Sequence, residues 1–268
     1  MRFWPYNRTS DDYYELLKRL HLLLKPVTYV EIGIRRGESF ELARAAAHAV
    51  GIDPNPALNN PLWPGARVFA LTSDAFFASH DLGQELGGNP VDLAFIDGLH
   101  LFEFALRDFI NLEKYARRSS TVLVHDCYPI DATTASRERT TQTWSGDVWK
   151  LIVCLKKYRP DLEFATVDVP PTGLGIIRNL DPGSTVLHSS LDRICQEFIP
   201  LDFEWIAGDK ARHLNRLDND WNRIRALFGV PPRTGLAGLF RSASSLARNE
   251  ARAGESGRSH PATPKDSR

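Results

Sequence analysis

Val27-Thr-Tyr-Val-Glu31-Ile-Gly33-Ile-Arg-Arg-Gly37 is the stretch on which the reading of this chain turns. A β-branched and aromatic run that stops at a glycine reads as a short strand followed by a sharp turn. Upstream, Ser10-Asp-Asp can cap a helix over residues 10–25 that Pro26 ends. Downstream, the Ala-, Leu- and Glu-rich segment Glu38–Val50 predicts a helix. A second strand is expected near Ala49–Asp53, closed by Pro54-Asn-Pro56. Arg67–Thr72 reads as a third strand, and Asp74–Leu82 as a short helix capped by Ser73 or Asp74.

The alternation continues. Val91–Ile96 reads as a fourth strand ending in Asp97-Gly98, Leu101–Arg117 as a long amphipathic helix, and Thr121–Val124 as a fifth strand ending in His125-Asp126. Strands alternating with helices imply an α/β fold with a mostly parallel sheet covered by helices on both faces. Tyr128–Gly146 is a long polar loop, of the kind usually tied to function. Asp147–Tyr158 reads as a helix, and Glu163–Val169 with Leu174–Arg178 as an antiparallel pair. The expected organisation is a helical extension over 1–26, one α/β domain over 27–180, a helical extension over 181–232 and a disordered tail over 233–268.

Composition narrows the class. Lys+Arg and Asp+Glu both number 33, so nothing in the balance favours nucleic acid as a partner. Three cysteines do not make a disulfide framework, and no apolar run reaches the length of a membrane span. These features suit a cytoplasmic protein with a small-molecule partner, and leave a homo-oligomer open.

The glycine turn bears on the cofactor. A dinucleotide site wants G-x-G-x-x-G, and only Gly33 and Gly37 are present here. The Glu31 carboxylate suits a cationic amino group better than a phosphate, as S-adenosylmethionine would require. A purely structural strand-to-helix turn explains this motif alone equally well. Asp53, twenty residues after Gly33 at a strand end, can accept from both ribose hydroxyls. Asp74, with Ser73 beside it, can read the adenine amino group, or either can simply cap a helix.

Asp97, His100, His125 and Asp126 follow two strands expected to be neighbours. Asp97 and Asp126 are hard oxygen donors suited to Mg²⁺. His100 or His125 can instead act as general base, and His125 can equally be a satisfied core histidine. Trp144 and Trp149 offer flat apolar surface for a sugar or aromatic ring, although core packing explains Trp149 as well. Cys127 reads as an inert buried thiol.

Taken together, Tyr-Val-Glu31-Ile-Gly33-Ile-Arg-Arg-Gly37, Gly-Ile-Asp53-Pro, Asp92-Leu-Ala-Phe-Ile-Asp97-Gly-Leu-His100 and Val-His125-Asp126-Cys resemble the class I S-adenosylmethionine-dependent methyltransferases. More narrowly they resemble the bacterial methyltransferase family 24, with its Ile-Asp-Gly-x-His signature. The resemblance implies a Rossmann-like sheet of seven strands with the cofactor at its carboxyl edge. It also implies O-methylation of a small molecule, often with a divalent cation. By that likeness Glu31, Gly33, Asp53 and Asp74 take cofactor roles, and Gly37, Ser73 and Asp97 beside them complete the cofactor-binding candidates. Asp97, His100 and His125 are the catalytic ones, and Asp97 and Asp126 the metal ligands. Leu99 departs from the pattern, which commonly has a polar residue there. A nicotinamide oxidoreductase, a hydroxylase-like relative and a non-catalytic domain on the same fold remain alternatives.

Overall fold

The computed structural model describes residues 8–231. The chain divides into two units, Met1–Ile224 and Arg225–Arg268. Of the second unit only residues 225–231 are described, and the expected tail over 233–268 lies outside the described residues.

In chain order the elements are α1 (Tyr13–Leu24), β1 (Thr28–Ile32), β2 (His48–Ile52), β3 (Ala66–Phe69), α2 (Ser73–Ser79) and α3 (Leu82–Glu85). There follow β4 (Val91–Ile96), α4 (Phe102–Glu113), β5 (Ala116–His125), α5 (Trp149–Tyr158), β6 (Glu163–Val167) and β7 (Leu174–Arg178). The chain then runs through α6 (Val186–Ser189), α7 (Leu191–Phe198), α8 (Glu204–Ala207), α9 (Lys210–His213), β8 (Arg216–Leu217) and α10 (Trp221–Ala226).

The strands form one sheet in the order β3-β2-β1-β4-β5-β7-β6-β8. All neighbours are parallel except at β7, which runs against both β5 and β6. This is the Rossmann-like arrangement expected from the sequence, with eight strands in place of seven. The eighth is the two-residue β8, which pairs with β6 and so joins part of the expected helical extension to the sheet. Strand order reverses between β1 and β4, and ligands of open α/β sheets sit at the carboxyl ends beside such a reversal. Gly33 and Asp97 follow directly on those two strands.

Alternation along the central strands loads both faces. Val30, Ile32, Val50, Ile52, Ala94, Ile96, Val122 and Val124 share a cluster with Phe76 of α2, Phe102 and Phe109 of α4 and Leu151 of α5. The out-of-phase residue Tyr29 meets His21 of α1 and Phe40, with ring centroids 4.8 Å and 6.1 Å away. Asp12 caps α1 by accepting from the Glu15 amide, and left-handed Lys25 closes it.

One expectation fails outright. Glu38–Val50 is not a helix: Phe40–Ala43 makes a single 3₁₀ turn, and β2 is already under way at His48. Val27 and Gly65 backbone groups take the Ala47, His48 and Ala49 amides, so strand pairing overrides the helix propensity of the alanines. Helix α2 is capped by Thr72, not by Ser73 or Asp74. Helix α4 ends at Glu113 because β5 starts at Ala116 and takes in residues expected to be helical.

Candidate active site

Four of the expected side chains converge. Asp97 follows β4, and Asp126 follows β5, whose last residue is His125. His100 lies in the loop before α4. His125 Nδ1 donates to Asp97 Oδ1 at 3.0 Å, and His100 Nε2 lies 3.4 Å from the same oxygen. His100 Nδ1 is 2.7 Å from Asp126 Oδ2 and 3.1 Å from the Trp144 carbonyl. A single N–H cannot point at both, and Asp126 Oδ2 is left buried without a hydrogen-bond partner. His125 Nε2 is likewise buried and unpartnered. Asp126 Oδ1 accepts from the Thr172 hydroxyl.

Both His100 and Asp126 hold left-handed backbone, at φ +59° and +64°. Such conformations persist only where surrounding structure imposes them, and they concentrate at functional sites. Gly146 supplies part of that constraint: a Cβ there would meet the His100 carbonyl oxygen at 1.8 Å. The loop is in turn anchored by buried Asp147. Its carboxylate caps α4 at the Phe102 amide (2.8 Å) and takes Lys150 (2.8 Å) and Arg137 (2.5 Å).

The electrostatics are mutual. Burial disfavours charge on Asp97, but the imidazoles of His125 and His100 outweigh it and hold the carboxyl below the usual range. Burial would lower His100, yet Asp126 and Asp97 raise it to about 10. His125 is raised too, with Asp97 and Asp126 overcoming its burial. The repulsion between two close carboxylates is thus met by imidazole protons. One ligand atom each from Asp97, His100 and Asp126 lies within 4.8 Å of the others, a spacing able to hold a metal ion.

Both imidazoles carry aromatic covers from remote segments. Tyr13, the first residue of α1, stacks on His125 with centroids 3.9 Å apart. Trp144 stacks on His100 at 5.3 Å and 7°. Sequence reasoning singled out Trp144 but missed Tyr13 and Thr172, which carry no local signal. Trp149, offered as a ligand surface, is fully buried and belongs to the core. Cys127 is buried, and desolvation pushes its thiol far up, so it is inert.

The cofactor candidates lie along the neighbouring strand ends, in varied states. Asp53 follows β2, is half-buried, and accepts from the Arg35 amide at 2.8 Å and the Asn55 amide at 2.7 Å. Each carboxylate oxygen keeps a lone pair for a ribose hydroxyl. Gly33 takes φ +90° against the Asp97 backbone, and Gly37 takes φ +81° in the same turn. Glu31 is wholly buried: Tyr29 donates to one oxygen at 2.6 Å and Ser39 to the other. Burial raises it to about 8. Because Glu31 has no exposed surface, a direct contact with a ligand ammonium would require its surroundings to open. Asp74 is gripped by Arg107 through two bonds of 2.9 Å and 2.7 Å, and Ser73 opens α2 beside it.

The sequence model of a family described as a methyltransferase domain matches residues 30–127. Solved structures similar to this chain include an O-methyltransferase from Streptomyces achromogenes in complex with S-adenosylmethionine. It is 17% identical, with a TM-score of 0.47, covering 63% of this chain and 80% of that one. A Podospora anserina methyltransferase bound to S-adenosylhomocysteine is 14% identical, with a TM-score of 0.47 and coverage of 67% and 83%. An O-methyltransferase from Bacillus cereus, also in complex with S-adenosylhomocysteine, is 12% identical, with a TM-score of 0.45 and coverage of 65% and 84%. No curated protein matches the sequence. The family match bears out the resemblance read from the four motifs: residues 30–127 have the sequence character of a methyltransferase domain of family 24.

Proposed function

We propose that this chain transfers the methyl group of S-adenosylmethionine to a hydroxyl oxygen of a small molecule such as a sugar or natural product. The observation that carries this reading is the convergence of Asp97, His100, His125 and Asp126 at the carboxyl ends of β4 and β5, beside the strand-order reversal. Asp53 would take the ribose hydroxyls, and the Gly33–Gly37 turn would border the amino-acid end. Glu31 acts at one remove, fixing Ser39 and Tyr29 beneath that turn. Methyl transfer asks the protein chiefly to align the acceptor, exclude water and accept one proton.

Asp97, Asp126 and His100 would hold a divalent cation, Mg²⁺ or Mn²⁺. The buried Asp126 Oδ2, which accepts no hydrogen bond although His100 Nδ1 lies 2.7 Å away, fits such a role, and the imidazole nitrogen suits Mn²⁺ better than Mg²⁺. A bound cation would lower the pKa of the acceptor hydroxyl. A metal-free route with His100 as base is the second reading: Asp126, 2.7 Å from its Nδ1, would stabilise the imidazolium formed when the ring takes the acceptor's proton, and the raised His100 would confine that route to alkaline pH. The test is methyl transfer from labelled S-adenosylmethionine to a panel of hydroxylated acceptors. Loss of turnover in EDTA and on Asp126→Asn, with restoration of the parent by Mn²⁺ or Mg²⁺, supports the metal site. Full turnover in EDTA with loss on His100→Ala rejects it in favour of the histidine, and no transfer to any acceptor counts against the enzyme reading.

A further inference from the structure

A second cavity, of about 380 Å³, opens between α5, α7 and the α8–α9 pair. It shares no residue with the cleft that holds Asp97, His100 and Asp126. Its size is that of a small-molecule site. Val153 of α5 and Phe198 of α7, both buried, make an apolar floor with half-buried Leu201. Trp205 of α8 stands at the wall with 43% of its surface exposed. The His213 ring of α9 lies 4.6 Å from the indole at 55°. The indole is thus held by a neighbour while much of its flat apolar surface stays in solvent.

Charge around this cavity is unbalanced. Glu197 is the one acid that lines it, and both its oxygens are taken, one by the Lys157 ammonium and the other by the Tyr158 hydroxyl at 2.9 Å. Lys156 has no carboxylate within ion-pair distance among the described residues. Its ammonium donates to the Arg212 carbonyl at 2.7 Å, and the His213 carbonyl lies 3.4 Å away. An ammonium has three protons, so at least one N–H is left over. Burial lowers Lys156, and nearby Arg212 adds to the effect. A cation drawn partly out of water beside another cation is stabilised by an anion, which two carbonyl dipoles replace only in part.

We propose that this cavity is a second ligand site, and that it takes a small aromatic carboxylate whose flat rings lie along Trp205 above the apolar floor while its carboxylate pairs with Lys156. An aliphatic acid lacks the stacking surface, and a neutral aromatic lacks the charge. Glu197 opposes a second negative charge, so the ligand is a monoanion. The site stands independently of the methyl-transfer reading, because no residue of the catalytic cluster takes part in it.

The test is calorimetric titration of the full chain with indole-3-acetate and with indole-3-acetamide, its neutral counterpart. The parent protein is expected to bind the acid with a Kd below about 1 mM and the amide about tenfold more weakly. Trp205→Ala, at an exposed position, weakens both probes by about tenfold. Lys156→Gln keeps a donor for the Arg212 carbonyl but removes the charge, and brings the ratio of acid to amide near one. Saturating S-adenosylhomocysteine leaves the affinity for the acid unchanged. Equal affinity of the parent for acid and amide, binding unaltered in Trp205→Ala, or displacement of the acid by S-adenosylhomocysteine each overturns the inference. Binding of neither probe by the parent overturns it too, and a dimer in light scattering that Trp205→Ala abolishes would then make this face a contact between copies of the chain.

Discussion

Replacing Gly33 with alanine separates two explanations of the glycine turn. The residue sits at φ +90°, and an alanine Cβ would lie 2.0 Å from the Asp97 carbonyl oxygen and 2.9 Å from the Gly98 Cα. All of these atoms are backbone, so no flexible side chain can yield. Ordinary contact begins at 3.4 Å, and the β4–α4 loop would have to withdraw by more than an ångström. That loop is pinned, because Ile32 accepts from the Asp97 amide at 2.8 Å and Ile52 accepts from the Gly33 amide at 2.8 Å. The unfavourable φ costs about 1–2 kcal/mol, and each strained hydrogen bond about 1 kcal/mol more. A total of about 3–4 kcal/mol, at about 2–4 °C per kcal/mol in a chain of this size, lowers Tm by about 10 °C. Thermal melts followed by circular dichroism, run beside ligand calorimetry, measure it. A Tm within about 2 °C of the parent, with only ligand affinity reduced, would refute the packing argument and make Gly33 purely a cofactor contact.

Glu31→Gln should flatten the pH dependence of stability. Burial chiefly, with Asp97 and Glu38 adding, raises Glu31 from 4.5 to about 8 against the pull of Ser39 and Tyr29. A raised carboxyl favours folding fully below its unfolded value and loses that contribution as pH rises to about 8. The variant should therefore gain on the parent in urea denaturation at about pH 9 relative to about pH 5, and an equal difference at both would be inconsistent with a neutral buried Glu31. Lys150→Met should cost about 2–4 kcal/mol, because Lys150 is buried and its loss removes one of the two cations on buried Asp147 and leaves the Ile199 carbonyl without its donor. Arg137→Met should cost less, since Arg137 is 35% exposed, and a reversed order in chemical denaturation would contradict this view of the network.

The central strands were readable because buried parallel strands appear as short, near-continuous apolar runs closed by a glycine or aspartate. Val30, Ile32, Leu93 and Val122 meet that description. The segment Glu38–Ala47 was not readable, since its alanines suit a helix and nothing local announces the single 3₁₀ turn at Phe40–Ala43, whereas the strand expected near Ala49–Asp53 is present as β2. The two-residue β8 is too short to leave a pattern. In the site, Asp97, His125 and Asp126 were legible because each ends or directly follows a strand, and His100 because it lies in the short loop after β4, where topology brings them together. Tyr13 and Thr172 approach from segments far away in sequence, and only the folded chain joins them to His125 and Asp126. The burial of Glu31 was hidden too: the motif shows a carboxylate, while its partners Tyr29 and Ser39 depend on the 3₁₀ turn that replaces the expected helix.

The most direct test of the account is titration of the full chain with S-adenosylhomocysteine, alongside NAD and the Asp53→Ala variant. The account predicts dissociation in the micromolar range for the parent, about 8 kcal/mol. It also predicts a weakening of about 1–3 kcal/mol in the variant, which loses a charged acceptor for two ribose hydroxyls. No heat with S-adenosylhomocysteine, or binding of NAD in its place, would contradict it.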